Sequence, residues 1–97
     1  MRVEYSSAAN RDVKRAIDYY HREAGPEVAA RFIARLEVKV LAILKHPTSY
    51  RVITRDLRCV DLDRFPYQIV YRIADDTRIK IISVRHHRRH PDFGLDR

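Results

Sequence analysis

The stretch Arg85-His86-His87-Arg88-Arg89-His90 sets three imidazoles and three guanidiniums side by side. Imidazole exchanges protons near neutral pH, and guanidinium is a fixed cation that grips phosphate or carboxylate through two parallel hydrogen bonds. Together these groups could activate a ribose 2′-hydroxyl, protonate the leaving oxygen and hold the phosphate between them, without metal or cofactor. On that reading His87 moves the proton, and Arg72, Arg85 and Arg89 carry the charge. The same run, Arg85, His86, His87, Arg88, Arg89 and His90, would serve equally as a binding surface for an anionic target. The plainest alternative is a solvated basic tail. No metal site is expected here, because adjacent strand residues point to opposite faces and no carboxylate stands at ligand spacing within the run.

These residues must be positioned by the strand that precedes them and by its neighbour. The neighbour is Phe65-Pro66-Tyr67-Gln68-Ile69-Val70-Tyr71-Arg72-Ile73, read as the central strand of a small sheet. Tyr67, Ile69, Tyr71 and Ile73 fall on one face, which should carry the core; Gln68, Val70 and Arg72 fall on the other. The second face is where function is expected, with the basic run leaving the adjacent strand on that side. His86 is expected to be structural, continuing an apolar set of Ile82 and Val84. Tyr67 and Tyr71 should pack against a helix, while Asp61, Asp63 and Glu4 read as scattered solvated acids.

The chain has 97 residues, enough for one domain, residues 1–97. Twenty Lys and Arg against thirteen Asp and Glu give a net charge of +7. That excess points to an anionic partner, nucleic acid or acidic protein, with solubility as the bland alternative. The single cysteine, Cys59, can form no internal disulfide, and no run of apolar residues is long enough to span a membrane. A cytoplasmic protein with no membrane partner is therefore expected.

From the N-terminus, Arg2 to Tyr5 reads as a short strand, and Ser6 and Ser7 offer helix caps. Ala9, Val13, Ala16, Ile17 and Tyr20 recur at helical spacing within Ala8 to Glu23. After the break at Gly25-Pro26, Val28, Ala29, Phe32, Ile33, Leu36, Val40, Ile43 and Leu44 form a second, stronger stripe that Pro47 ends. So short a link predicts an antiparallel helical hairpin. Tyr50 to Thr54 and Arg58 to Asp63 read as strands, with Pro66 at the first position of the central strand. The last strand, Arg78 to Val84, should be interior, with Ile79 and Ile81 on one face and Ile82 and Val84 on the other. Phe93 and Leu95 in the tail are expected to fold back on the sheet. The order β-α-α-β-β-β-β describes an α+β fold, a helical hairpin on one face of a mostly antiparallel sheet.

That order, the Phe65-Pro66-Tyr67-x-Ile69-Val70-Tyr71-Arg72 strand and the ending Ile82-Ser83-Val84-x-His86-x-x-Arg89-x-Pro91 resemble the RelE/ParE superfamily, toxins of type II toxin–antitoxin systems. The resemblance covers nearly the whole chain. It implies a growth-inhibiting, plasmid-stabilisation-type toxin, neutralised by a cognate antitoxin that is acidic and folds on binding. It implies one of two targets: DNA gyrase, inhibited without nuclease activity, or messenger RNA cut on the ribosome. RelE-like nucleases usually carry an arginine where this chain has Gln68, and a neutral amide cannot replace that fixed charge. The His-x-x-Arg-x-Pro ending looks closer to the ParE-like branch, although His90 stands where that branch commonly has Asp. Gyrase inhibition is thus the leading expectation, ribosome-dependent cleavage the alternative, and a non-toxic binding module the third.

Overall fold

The structure, a computed structural model, describes residues 1–88. Arg89, His90 and the Phe93-Gly94-Leu95 segment lie outside the described residues. Strand β1 (Arg2–Tyr5) leads into helices α1 (Ser7–Ala24) and α2 (Pro26–Lys45). Strands β2 (Val52–Thr54), β3 (Leu57–Asp61), β4 (Tyr67–Asp75) and β5 (Arg78–His86) follow. The sheet order is β1-β5-β4-β3-β2, with β1 parallel to β5 and the other pairs antiparallel. The expected α+β architecture is therefore present, with β4 at the centre and β5 interior. Pro66 lies just before β4 rather than at its first position.

Each helix begins and ends for a local reason. Ser6 caps α1: its Oγ accepts from the Ala9 N–H at 3.0 Å and donates to the Ile82 carbonyl at 2.9 Å, tying the helix start to β5. Gly25, at φ 92°, takes the left-handed turn between the helices, and Pro26 opens α2, where its missing N–H would have had no partner anyway. The inner stripes of both helices and the helix-facing side of the sheet form one core, centred on Ala9, Ala16, Phe32, Leu36, Ile43, Ile69, Tyr71, Ile79 and Ile81. At one end of that core Tyr20, Phe32, Phe65 and Tyr67 pack ring to ring, with centroids 5.1 to 6.2 Å apart. Such pairs contribute about 0.5–1.5 kcal/mol each beyond area burial. They fix the hairpin over the end of the sheet from which the basic run departs.

One expectation about the core is corrected. Val84 packs in the helix-side core, while Ile82 joins Leu57, Cys59, Val70 and the partly buried Ile53 in a second cluster on the open face. The cause is a bulge: Val70 pairs with Ser83, but the next residue, Tyr71, pairs with Ile81. Ile82 and Ser83 together oppose Val70, so every side chain beyond them changes faces. The bulge also leaves backbone groups for α1 to bind. Ser6 takes the Ile82 carbonyl, and the buried carboxylate of Asp12 accepts the Val84 N–H at 3.0 Å.

Candidate functional site

The change of face beyond Ile82 builds the site. It turns Arg85 onto the open face, where cross-strand register aligns Asp61 of β3, Gln68 of β4 and Arg85 of β5 in one row. The side chains follow the register. Arg85 Nε donates to Gln68 Oε1 at 3.1 Å, and Gln68 Nε2 donates to Asp61 Oδ1 at 3.0 Å. His87, held by its N–H on the Pro66 carbonyl at 2.8 Å, brings Nε2 within 3.3 Å of the same Asp61 oxygen. Gln68 is thus a bridge that spends its oxygen on a guanidinium and its amide nitrogen on a carboxylate.

Other candidates from the sequence go elsewhere. Arg72 shares the open face but lies four residues along β4, about 13 Å at the rise of an extended strand. It stands in a separate row between Leu57 and Lys80. His86 turns to the helix side, its ring edge-on to Tyr67 with centroids 5.1 Å apart. It continues Val84 but not Ile82, and its Nδ1 accepts the Arg88 N–H at 3.0 Å. Arg88 is exposed beside the Tyr19, Tyr20 and Tyr67 rings. Of the expected anion-binding run, the structure therefore brings Arg85 and His87 together and sets His86 and Arg88 around the edge of the sheet.

At that edge α1 and β5 enclose a cleft of about 410 Å³, lined by Arg15, Tyr19, Arg22, Tyr67, Arg85 and His86, with Asp12, Ala16, Asp18 and Val84 completing it. The Arg22 guanidinium sits 6.0 Å from the Tyr19 ring centroid, within cation–π range. The cleft offers aromatic surface and positive charge to one ligand. Sequence reasoning missed Asp12 and Asp61. Asp12 falls on the inner flank of α1 between Ala9 and Ala16, a signal present in the helical period. Asp61 becomes Gln68's partner only through the β3–β4 register.

The row has a distinct electrostatic character. Arg85 and Asp61 balance each other from the two ends of the row, so it presents a neutral amide and a carboxylate where a phosphate would need only cations. Cys59, two residues back from Asp61 on β3, is enclosed, and burial pushes its thiol up, away from nucleophilic use. Among the described residues no group of His, Cys, Asp and Glu could hold a metal ion, and no helix is long and apolar enough to cross a membrane.

A chain of the solved chromosomal ParDE TA system from P. aeruginosa shares this fold, with a TM-score of 0.77 and 19% identity over 89% of this chain and 95% of that one. No curated protein sequence matches significantly. The family model for the ParE toxin of type II toxin-antitoxin system, parDE, matches residues 3–91, which takes in all of β1 but its first residue, both helices, the other four strands and the basic run. This chain belongs to the ParE toxin family of type II toxin–antitoxin systems.

Proposed function

We propose that this toxin inhibits DNA gyrase by binding it, and that a cognate acidic antitoxin, folding as it binds, neutralises the inhibition. Membership of the ParE family supports the toxin role. The observation that carries the choice of target is the bridged row: Gln68 stands between Arg85 and Asp61, and His87 leans on the same carboxylate. A catalyst of phosphodiester cleavage needs unopposed cations on the phosphate and a base free to take a proton. Here the central side chain is neutral, and the carboxylate beside it would repel the substrate. A row of alternating donors and acceptors suits a protein surface, where hydrogen-bond pattern sets specificity.

The test is a supercoiling assay in which purified gyrase is titrated with the toxin, alone and with its antitoxin. Inhibition that the antitoxin reverses is expected, and Arg85→Ala is expected to weaken it about tenfold or more, the scale for truncating a charged interface contact. No inhibition at large excess would overturn the reading. Ribosome-dependent messenger RNA cuts abolished by His87→Ala would then establish cleavage. Unimpaired growth on induced expression without antitoxin would leave a binding module.

A further inference from the structure

The cleft between α1 and β5 adjoins a second cavity of about 580 Å³, lined by Tyr19, Tyr20, Pro66, Tyr67, His86 and Arg88. Tyr19, Tyr67 and His86 line both, so the two form one depression with unlike ends. Each volume falls in the range of about 300–1,000 Å³ common to small-ligand sites. The first end is cationic: Arg15 and Arg22 reach it from α1 and Arg85 from β5. Asp12, Arg15, Tyr19 and Arg22 recur at intervals of three or four residues, which sets them along one face of α1. Both acids of that end are engaged. Asp12 accepts the Val84 N–H at 3.0 Å, and Asp18 is paired with Lys14 at 3.4 Å. Glu23 leans on Arg22 at 3.6 Å from outside the lining. The second end is aromatic. Tyr20 meets Tyr19 at 5.3 Å and Tyr67 at 6.2 Å between centroids, and Tyr67 meets His86 at 5.1 Å.

Tyr20 and Tyr67 also pack on the core, but Tyr19 does not. It is the one exposed aromatic side chain among the described residues, at 48%. Tyrosine rings offer faces on which a planar heterocycle stacks, and guanidiniums grip phosphate through paired hydrogen bonds. A carboxylate peptide would use only the cations, and an apolar ligand only the rings. A ligand that uses both ends joins a flat ring to an anion a short distance away. We propose that this depression binds a free nucleoside 5′-phosphate, its phosphates toward Arg15 and Arg22 and its base against Tyr19 and Tyr67. The site goes beyond the gyrase reading and does not depend on it: Arg85 alone belongs both to the cleft and to the Asp61–Gln68–Arg85 row. A single strand of nucleic acid carries the same base and phosphate, and the test separates the two sources.

The test titrates the purified full chain, by calorimetry, with adenosine, AMP, ADP, inorganic phosphate and a single-stranded oligothymidylate. ADP is expected to bind, and adenosine and phosphate, each using one end, should bind at least about tenfold more weakly. Tyr19→Ala should weaken ADP binding about tenfold or more, the scale of losing a stacked base, while Tyr19→Phe keeps the ring and should bind as the wild type does. The Arg15→Ala/Arg22→Ala double variant should lose at least about 30-fold, and added salt should weaken wild-type binding. All three positions are exposed on α1, and alanine suits a helix, so unchanged circular dichroism is expected. No binding of ADP, or variants that bind it like the wild type, would overturn the proposal. Phosphate bound as tightly as ADP would leave an anion site with no place for a base and overturn it. An oligothymidylate that binds where AMP and ADP do not would assign the cleft to a strand and overturn it as well. None of these outcomes bears on gyrase inhibition, which stands or falls on the supercoiling assay.

Discussion

Replacing Tyr71 by Phe should reverse its effect on stability as pH rises. The Tyr71 side chain is fully buried, and its hydroxyl donates to the Pro47 carbonyl at 2.6 Å, binding the sheet centre to the chain leaving α2. At neutral pH Tyr71→Phe removes that bond and leaves the carbonyl unpaired, a loss of about 1 kcal/mol. For a domain of this size that is about 4–8 °C in Tm. Burial, opposed in part by the Arg58 guanidinium, pushes the Tyr71 hydroxyl up from 10.0 to about 12. The unfolded chain therefore ionises first, and stability held below pH 10 is lost as pH rises towards 12, up to about 2.7 kcal/mol for two pKa units. The wild type has lost about 1 kcal/mol near pH 10.7, so the two proteins should be equally stable there. Above it Tyr71→Phe should be the more stable. Urea unfolding of both proteins at pH 7, 9, 10, 11 and 11.5 measures the difference, in which titrations common to both, including Tyr5 and Tyr20, cancel. A difference that stays constant from pH 9 to 11.5 would refute the claim that this hydroxyl is held protonated by its surroundings.

Three further outcomes follow from the same structure. Asp12→Ala should cost about 2–3 kcal/mol, the scale for a hydrogen bond to a charged group plus the orphaned Val84 N–H, and urea titration at pH 7 should show it as a lowered midpoint. Ser83 is fully buried with no hydrogen-bond partner for its hydroxyl among the described residues, so Ser83→Ala should be neutral or stabilising by about 1 kcal/mol in the same titration. The Cys59 thiol, 3% exposed and pushed up by burial, should react with a disulfide reagent at pH 8 only in denaturant; rapid reaction of the folded protein would contradict its enclosure.

The parts of this fold that periodicity carries were legible in the sequence. The α1 stripe and the inner α2 stripe fill the core as read, and β4 sorts Ile69 and Tyr71 from Gln68, Val70 and Arg72 as strict alternation requires. What was not legible depends on a departure from period. Val84 and Ile82 could not be assigned to opposite faces from spacing, because two residues apart on an unbroken strand means the same face. Asp61 could not be paired with Gln68 without the register across residues 62–66, where Asp63 and Arg64 take successive left-handed φ values of 60° and 67°. Neither is glycine, so no residue type announced that turn.

The bulge at Ile82 and Ser83 explains why these parts belong together. On a regular β5, Val84 would sit on the open face, and Arg85 would point into the aromatic layer, where a guanidinium has no carboxylate row to meet. One inserted residue sends Val84 into the core and Arg85 onto Gln68. The insertion costs ladder hydrogen bonds, and α1 supplies replacements through Ser6 and Asp12. The buried acid of α1 and the polar row on the far side of the sheet are thus two consequences of a single irregularity. Asp12→Ala should disturb the row without touching it, by loosening the backbone that sets the parity of Arg85. If gyrase inhibition by folded Asp12→Ala falls as far as that of Arg85→Ala, Asp12 acts as a positioning residue; rescue by Asp12→Asn, whose amide oxygen still accepts the Val84 N–H, would tie the effect to that bond. Inhibition left intact by folded Asp12→Ala would mean that β5 holds its bulge without help from the helix.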